Sequence, residues 1–263
     1  MLTLGIDFLT ALELEPLDFL AVAEEEGCKA VGLSVQAWKP LPFPKPDLVG
    51  NPRAVAELAR RSADTGVQIH SVELFVMEPG CDIESFRPAL AVSAQLGATY
   101  LISLAFDGEP ARLSDSYGRL CELAREYRLS VLCEVHKRLT LKSIEGAVAF
   151  FERAGIDVKL ELDSLHFFRH GGKIDEIVKY AHRIGRAQLS DGPASATDEE
   201  YDIESRFRRQ IPGDGELPLV DFLSALPDGI VIALETPRPD YRTRDRIRRG
   251  VAGARALLAR ARS

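Results

Sequence analysis

Short apolar runs alternate with segments of helical periodicity along the whole chain, and this alternation constrains the fold more than any other feature. LTLGIDF is followed by the helix-like PLDFLAVAEEEG. AVGLSV is followed by a proline-rich loop, KPLPFPKPDLVG, and a helical stretch from Pro52 to about Gly66. QIHSVELF precedes a helical pattern around Ile83 to Gly97, TYLISLAF one around Pro110 to Arg128, and LSVLCEVH one around Ser143 to Gly155. DVKLELDSLH precedes one around Lys173 to His182. RIGRAQLSDG precedes a long polar loop and a short helix from Leu217 to Leu226, and GIVIALETP precedes an arginine-rich terminal segment. Apolar runs bounded by turn residues suit strands buried on both faces, and strict strand–helix alternation implies a parallel sheet. Gly27, Gly66, Gly97 and Gly155 fall where helix C-termini favour glycine. Eight such units in 263 residues fit a single α/β domain over residues 1–263, a closed (β/α)8 TIM barrel. An open doubly wound sheet would more often carry a glycine-rich phosphate loop after its first strand, where this chain reads IDFLTALELEP.

Composition excludes several function classes. At 46% hydrophobic and 28% charged residues the chain has the make-up of a soluble globular protein. No run of 18 apolar residues predicts a membrane span. The first ten residues lack a basic region and a cleavage site, so a cytoplasmic location is expected. Cys28, Cys81, Cys121 and Cys133 show no CxxC spacing and are expected to be reduced thiols. The net charge of −7 is uneven: Tyr241 to Ser263 carries eight arginines and one aspartate. IRRGVAGARALLARA places apolar residues at helical spacing between those arginines. The segment therefore predicts an amphipathic helix with a solvated basic face. Nucleic acid is not the expected partner, because the acidic remainder repels phosphates.

Four oxygen-bearing residues lie near the C-terminal ends of the last four runs. They are Glu134 in VLCEVH, Asp163 in VKLELDSLH, Gln188 in RAQLSDG and Glu235 in IVIALETP. In a barrel this end of the strands builds the active site. Neighbouring strands are about 4.8 Å apart, so four consecutive strand ends can close around one ion. Three carboxylates and a carboxamide form a hard-oxygen cage suited to one divalent cation, Mn2+ or Mg2+, while zinc would draw more histidine or cysteine. Any one of these acids could instead cap a helix or pair with an arginine. Glu161 shares strand parity with Asp163 and should point inward one layer deeper, as support for the site.

These residues resemble the xylose-isomerase-like, or sugar phosphate isomerase/epimerase, superfamily of barrels. Asp163-Ser-Leu-His166 is similar to that family's sixth-strand motif, and Gln188-Leu-Ser-Asp191 to its seventh-strand H-x-x-D motif with glutamine at the ligand position. Arg208 to Glu216, RRQIPGDGE, is similar to the substrate loop that follows. The glutamine departs from most epimerases of the type and is similar to hydroxypyruvate isomerases and some 3-dehydroshikimate dehydratases. The resemblance implies chemistry at a carbon next to a carbonyl on a small-molecule substrate. Glu134 and Glu235 would form the acid/base pair as well as metal ligands. His166, His70 and one of Arg208 and Arg209, of which Arg208 is chosen, are the expected substrate contacts. An isomerase or epimerase of a keto-sugar or small hydroxy-ketone is the leading expectation. A dehydratase of the 3-dehydroshikimate or keto-inositol type is the alternative, and a barrel that only binds a ligand is a further one. A homo-oligomer is left open.

Overall fold

The computed structural model describes residues 1–36 and 48–262. The expected proline-rich loop falls largely on residues 37–47 and so lies outside the described residues. Eight parallel strands close into one barrel in sequence order. They are β1 (Thr3–Asp7), β2 (Ala30–Ser34), β3 (Gln68–Met77), β4 (Tyr100–Ala105), β5 (Ser130–Glu134), β6 (Lys159–Asp163), β7 (Ile184–Leu189) and β8 (Val231–Leu234). Pairing of Thr3 with Val231 through Ile6 with Leu234 joins β1 to β8 and closes the ring. The helices around it are α1 (Pro16–Glu25), α2 (Pro52–Thr65), α3 (Arg87–Gln95), α4 (Pro110–Glu126), α5 (Ile144–Ala154), α6 (Ser164–Arg169), α7 (Ile174–Lys179), α8 (Asp198–Ile203), α9 (Leu219–Ala225) and α10 (Thr243–Arg260).

Local chemistry sets the helix ends. Asn51 accepts from the N–H of Ala54, Pro52 opens α2, and Gly66 closes it at φ 69°. Ser143 and Gly155 bracket α5 in the same way. Most helices bury an apolar face, and Phe19, Tyr117, Phe151 and Phe222 from them, with Phe75 from β3, are among the largest fully buried side chains.

Register determines what fills the barrel. Glu134 lies beside Glu161, Glu161 beside Arg186, and Asp163 beside Gln188. Side chains alternate across a strand, so Glu161 and Arg186 form one inward layer and Asp163 and Gln188 the next, nearer the C-terminal mouth.

Three expectations are corrected. The apolar run at β6 ends at Asp163, not at His166, because the Asp163 side chain accepts the N–H of His166 at 3.0 Å and starts α6. The polar loop after β7 contains α8, opened by a capping box between Thr197 and Glu200, and then a π-helical turn over Glu204–Arg208. The arginines of α10 do not form a merely solvated face. Arg244 pairs with Glu25 and Arg248 with Glu26 on the neighbouring end of α1, and Arg249 pairs with Asp214. Arg246 is buried and donates to the carbonyl of Thr10 and to Glu13. Helices α1 and α10 flank the β1–β8 seam, so their opposite charges meet. Among the described residues no helix is long and apolar enough to cross a membrane.

Candidate active site

A pocket of about 160 Å³ opens at the C-terminal ends of the strands. Its floor and one wall are polar: Glu73, Glu134, His166, Gln188, Arg209 and Glu235. Its apolar lining is Leu9, Leu74, Leu104, Phe106 and Leu139, of which all but Leu9 pack together in one small cluster. Glu134 ends β5, Asp163 ends β6, Gln188 is the penultimate residue of β7, and Glu235 follows β8 directly.

A continuous chain of polar contacts joins these strand ends. Arg209 Nη1 lies 2.5 Å from Asp163 Oδ2 and 2.7 Å from Glu235 Oε2. Gln188 Nε2 lies 2.9 Å from Glu235 Oε1 and 2.9 Å from Asp7 Oδ2. Beneath, Arg186 donates to Asp7 and, at 2.5 Å, to Glu161, with all three side chains fully buried. Asp163 thus caps α6 with one oxygen and pairs with Arg209 through the other.

Two histidines and a tyrosine cover the site from the loop after β5, from α6 and from α8. Arg209 Nη2 can only donate, so His166 Nε2, 3.2 Å away, accepts and the ring proton sits on Nδ1. His136 Nδ1 accepts the backbone N–H of Arg138, which places its proton on Nε2. Both histidines therefore donate to Tyr201 Oη, each at 2.9 Å. Burial holds both imidazoles well below their ordinary range, with His166 adding to the effect at His136 and Arg209 adding to it at His166. The contact of His166 Nε2 with Glu134 Oε1 at 3.4 Å is accordingly not an ion pair.

The acids are pushed the other way. Burial raises Glu134 well above the usual carboxylate range, reinforced by the charges of Glu235 and Asp163 and opposed by Arg209. Burial raises Glu235 to about 8, outweighing Arg209. Burial raises Glu73 well above its ordinary value, with Asp7 and Glu235 adding to it.

The structure gathers Glu134, Asp163, Gln188, Glu235 and His166 at one place. Two expected substrate contacts fall elsewhere. His70 is the third residue of a ten-residue strand, beside Tyr100 at the start of β4 with ring centroids 5.3 Å apart. Strand β3 runs on to Met77, so its mouth end carries Glu73 and Leu74 rather than His70. Arg208 is exposed and lines a separate outer depression with Glu200, Gln210 and Arg238. The π-helical turn ends at Arg208, and the extended backbone of Arg209 carries the next side chain inward. Asp7, Glu73, His136, Arg186, Tyr201 and Arg209 are site residues that the sequence reading did not select. A charged residue inside an apolar run was the available signal for Asp7 in LTLGIDF and Arg186 in RIGRAQL.

The donor set fits a divalent cation. Among the described residues, six carboxyls (Asp7, Glu73, Glu134, Glu161, Asp163 and Glu235) are joined by two buried guanidiniums, Arg186 and Arg209, while Arg138, at the pocket's lining, pairs instead with Asp198 and Asp202. The carbonyl oxygen of Gln188 and one oxygen of Glu73 are buried without a hydrogen-bond partner among the described residues. Among the described residues the acids whose oxygens lie within 4.8 Å of one another are Asp7, Glu73 and Glu235, a group that shares only Glu235 with the four expected strand-end ligands. Negative surplus and unpartnered hard oxygens are what a bound cation neutralises and satisfies.

None of the curated proteins matches this sequence significantly. Solved structures are similar over nearly the whole chain. One is an IolI protein with a bound zinc atom, at TM-score 0.79 and 20% identity, covering 99% of both chains. Another is an L-ribulose 3-epimerase, at TM-score 0.75 and 16% identity, covering 100% of this chain and 96% of that one. A third is the probable 3-DHS dehydratase AsbF of Bacillus anthracis, at TM-score 0.78 and 13% identity, covering 97% and 99%. At these identities the likeness is one of fold. The family model for the xylose isomerase-like TIM barrel matches residues 20–258. The closed eight-stranded ring, the four strand ends at its mouth and that match over most of the sequence agree: this chain belongs to the xylose isomerase-like TIM barrel family.

Proposed function

We propose that this chain is a divalent-metal-dependent isomerase or epimerase acting on a keto-sugar or small hydroxy-ketone. The observation that carries the reading is the meeting of Glu134 and Glu235 in one acid-rich pocket beside the unpartnered carbonyl oxygen of Gln188. Glu134, Asp163, Gln188 and Glu235 would hold the ion, and their hard oxygens favour Mn2+ or Mg2+. When bound, the ion would supply Lewis-acid stabilisation of negative charge developing on a substrate oxygen.

The chain's own residues account for the proton. In the ion-free chain burial pushes Glu235 up to about 8, and a bound ion would oppose this by favouring the ionised form. One of Glu134 and Glu235, ionised, would take the proton next to the carbonyl, and the other, protonated, would return one. His166 Nε2, which accepts from Arg209, also lies 3.4 Å from Glu134 Oε1, so this neutral ring would help to position that carboxyl without pairing with it. Arg209 would lend a guanidinium N–H to a substrate oxygen. Leu74, Leu104 and Leu139, buried in the pocket lining, would help to exclude water.

Incubation with Mn2+ and candidate keto-sugars in D2O, followed by proton NMR, tests the reading. Deuterium should enter at the carbon beside the carbonyl, and Glu134→Gln should abolish its entry. Absence of exchange with every substrate, in protein shown to hold the ion, would leave the ligand-binding barrel instead. Gln188 favours a second reading, because it is similar to the ligand of some dehydroshikimate dehydratases. That reading uses the same proton abstraction followed by loss of a β-hydroxyl. A new conjugated chromophore from 3-dehydroshikimate would select it.

A further inference from the structure

We propose that Asp7, anchored by Arg186, is a positioning residue that fixes the Gln188 amide so that its carbonyl oxygen is left for the cation; the inference rests on the metal reading above. Gln188 Nε2 is 2.9 Å from Asp7 Oδ2 and 2.9 Å from Glu235 Oε1. Both partners are carboxylate oxygens, so a carbonyl oxygen in that place would be repelled and the NH2 group must face them. Both amide hydrogens are thereby used. The carbonyl oxygen is buried and has no partner among the described residues.

Asp7 is held against rotation. Its Oδ1 accepts from Arg186 Nη2, and Arg186 Nη1 donates to Glu161 at 2.5 Å. Strand β2 leaves room for this carboxylate at Gly32. A Cβ there would stand 2.1 Å from Asp7 Oδ1 and 2.8 Å from Ser71 Oγ. The grouping of Asp7, Glu73 and Glu235 oxygens is not itself the ion's place, because the Gln188 NH2 group already lies between two of its members. An amide ligand needs this support, since it has a donor end and an acceptor end and only the acceptor binds a metal. Asp7 and Gln188 therefore act as a unit, and Asp7 acts on the cation only through Gln188.

Calorimetric titration of metal-stripped protein with Mn2+ tests this, using wild type, Asp7→Ala, Gly32→Ala, Gln188→Ala and the Asp7→Ala/Gln188→Ala double variant. Asp7→Ala should weaken Mn2+ binding roughly 10- to 100-fold, the range for loss of a residue that orients a ligand. Gly32→Ala keeps every charge but displaces the Asp7 carboxylate, and should weaken binding in the same direction. In the Gln188→Ala background, Asp7→Ala should have no further effect. Wild-type affinity in folded Asp7→Ala would overturn the inference. So would an undiminished loss in the Gln188→Ala background, which would make Asp7 only a nearby negative charge. Should Asp7→Ala fail to fold, Gly32→Ala decides, and wild-type affinity there overturns the inference. Wild-type protein that takes up no Mn2+ overturns the metal reading and this inference together, an outcome distinct from variants that bind as the wild type does.

Discussion

Arginine meets carboxylate both on the outer seam between α1 and α10 and inside the barrel, and the two regions solve the charge problem in opposite ways. On the seam the arginines are matched by acids across the helix pair. Arg244 and Glu25 are each about half exposed, at 54% and 55%. Such pairs are screened by water and contribute little. Inside, Arg186, Asp7 and Glu161 are fully buried, and the acids outnumber the cations. Burying charge is costly unless partners repay the desolvation. A balanced exterior needs nothing more, whereas an unbalanced interior calls for another positive charge, in protons or in a metal ion.

The sharpest way to break this contrast is Arg186→Met. It leaves Asp7 and Glu161 buried without their cation, and should cost about 3–5 kcal/mol in denaturant unfolding. Glu134→Gln should lower turnover by roughly 100-fold or more once a substrate is found. It should not lower the melting temperature of the ion-free protein, because it removes a buried acid from the surplus. The pH dependence comes next. A carboxyl whose folded-state value is raised binds its proton more tightly folded than unfolded. Its stabilisation of the ion-free protein is full below the ordinary glutamate range and is lost as pH rises through the raised value, about 8 for Glu235. Protons and cation compete for the same oxygens, so Mn2+ should raise the melting temperature more at alkaline than at acid pH. Equal shifts at both would show that these acids do not hold it. The smallest effect belongs to the seam: Arg244→Ala should change stability by less than about 0.5 kcal/mol, in a manner weakened further by salt.

Much of the barrel was legible in the sequence because a strand buried on both faces must be apolar throughout. Each of the eight runs therefore stood out against amphipathic helices. Glu134, Asp163, Gln188 and Glu235 were legible for the same reason, as polar endings on apolar runs. Helix α8 was not, because DEEYDI has no apolar stripe; only the capping pattern from Thr197 to Glu200 marks it. The choice between Arg208 and Arg209 turned on a π-helical turn that neighbouring residue types do not signal. Asp7 and Arg186 belong to strands far apart in sequence, at positions 7 and 186, and only closure of the barrel makes them partners. His70 was misplaced because the length of β3 decides which of its residues reaches the mouth.

The central claim is that the last four strands end in one cation site. Calorimetric titration of metal-stripped protein with Mn2+, in wild type and in Glu134→Gln, Gln188→Ala and Glu235→Gln, tests it most directly. One ion per chain is expected in the wild type, with affinity at least about tenfold weaker in each variant. No uptake by the folded wild type, or uptake that none of the three changes weakens, would contradict it.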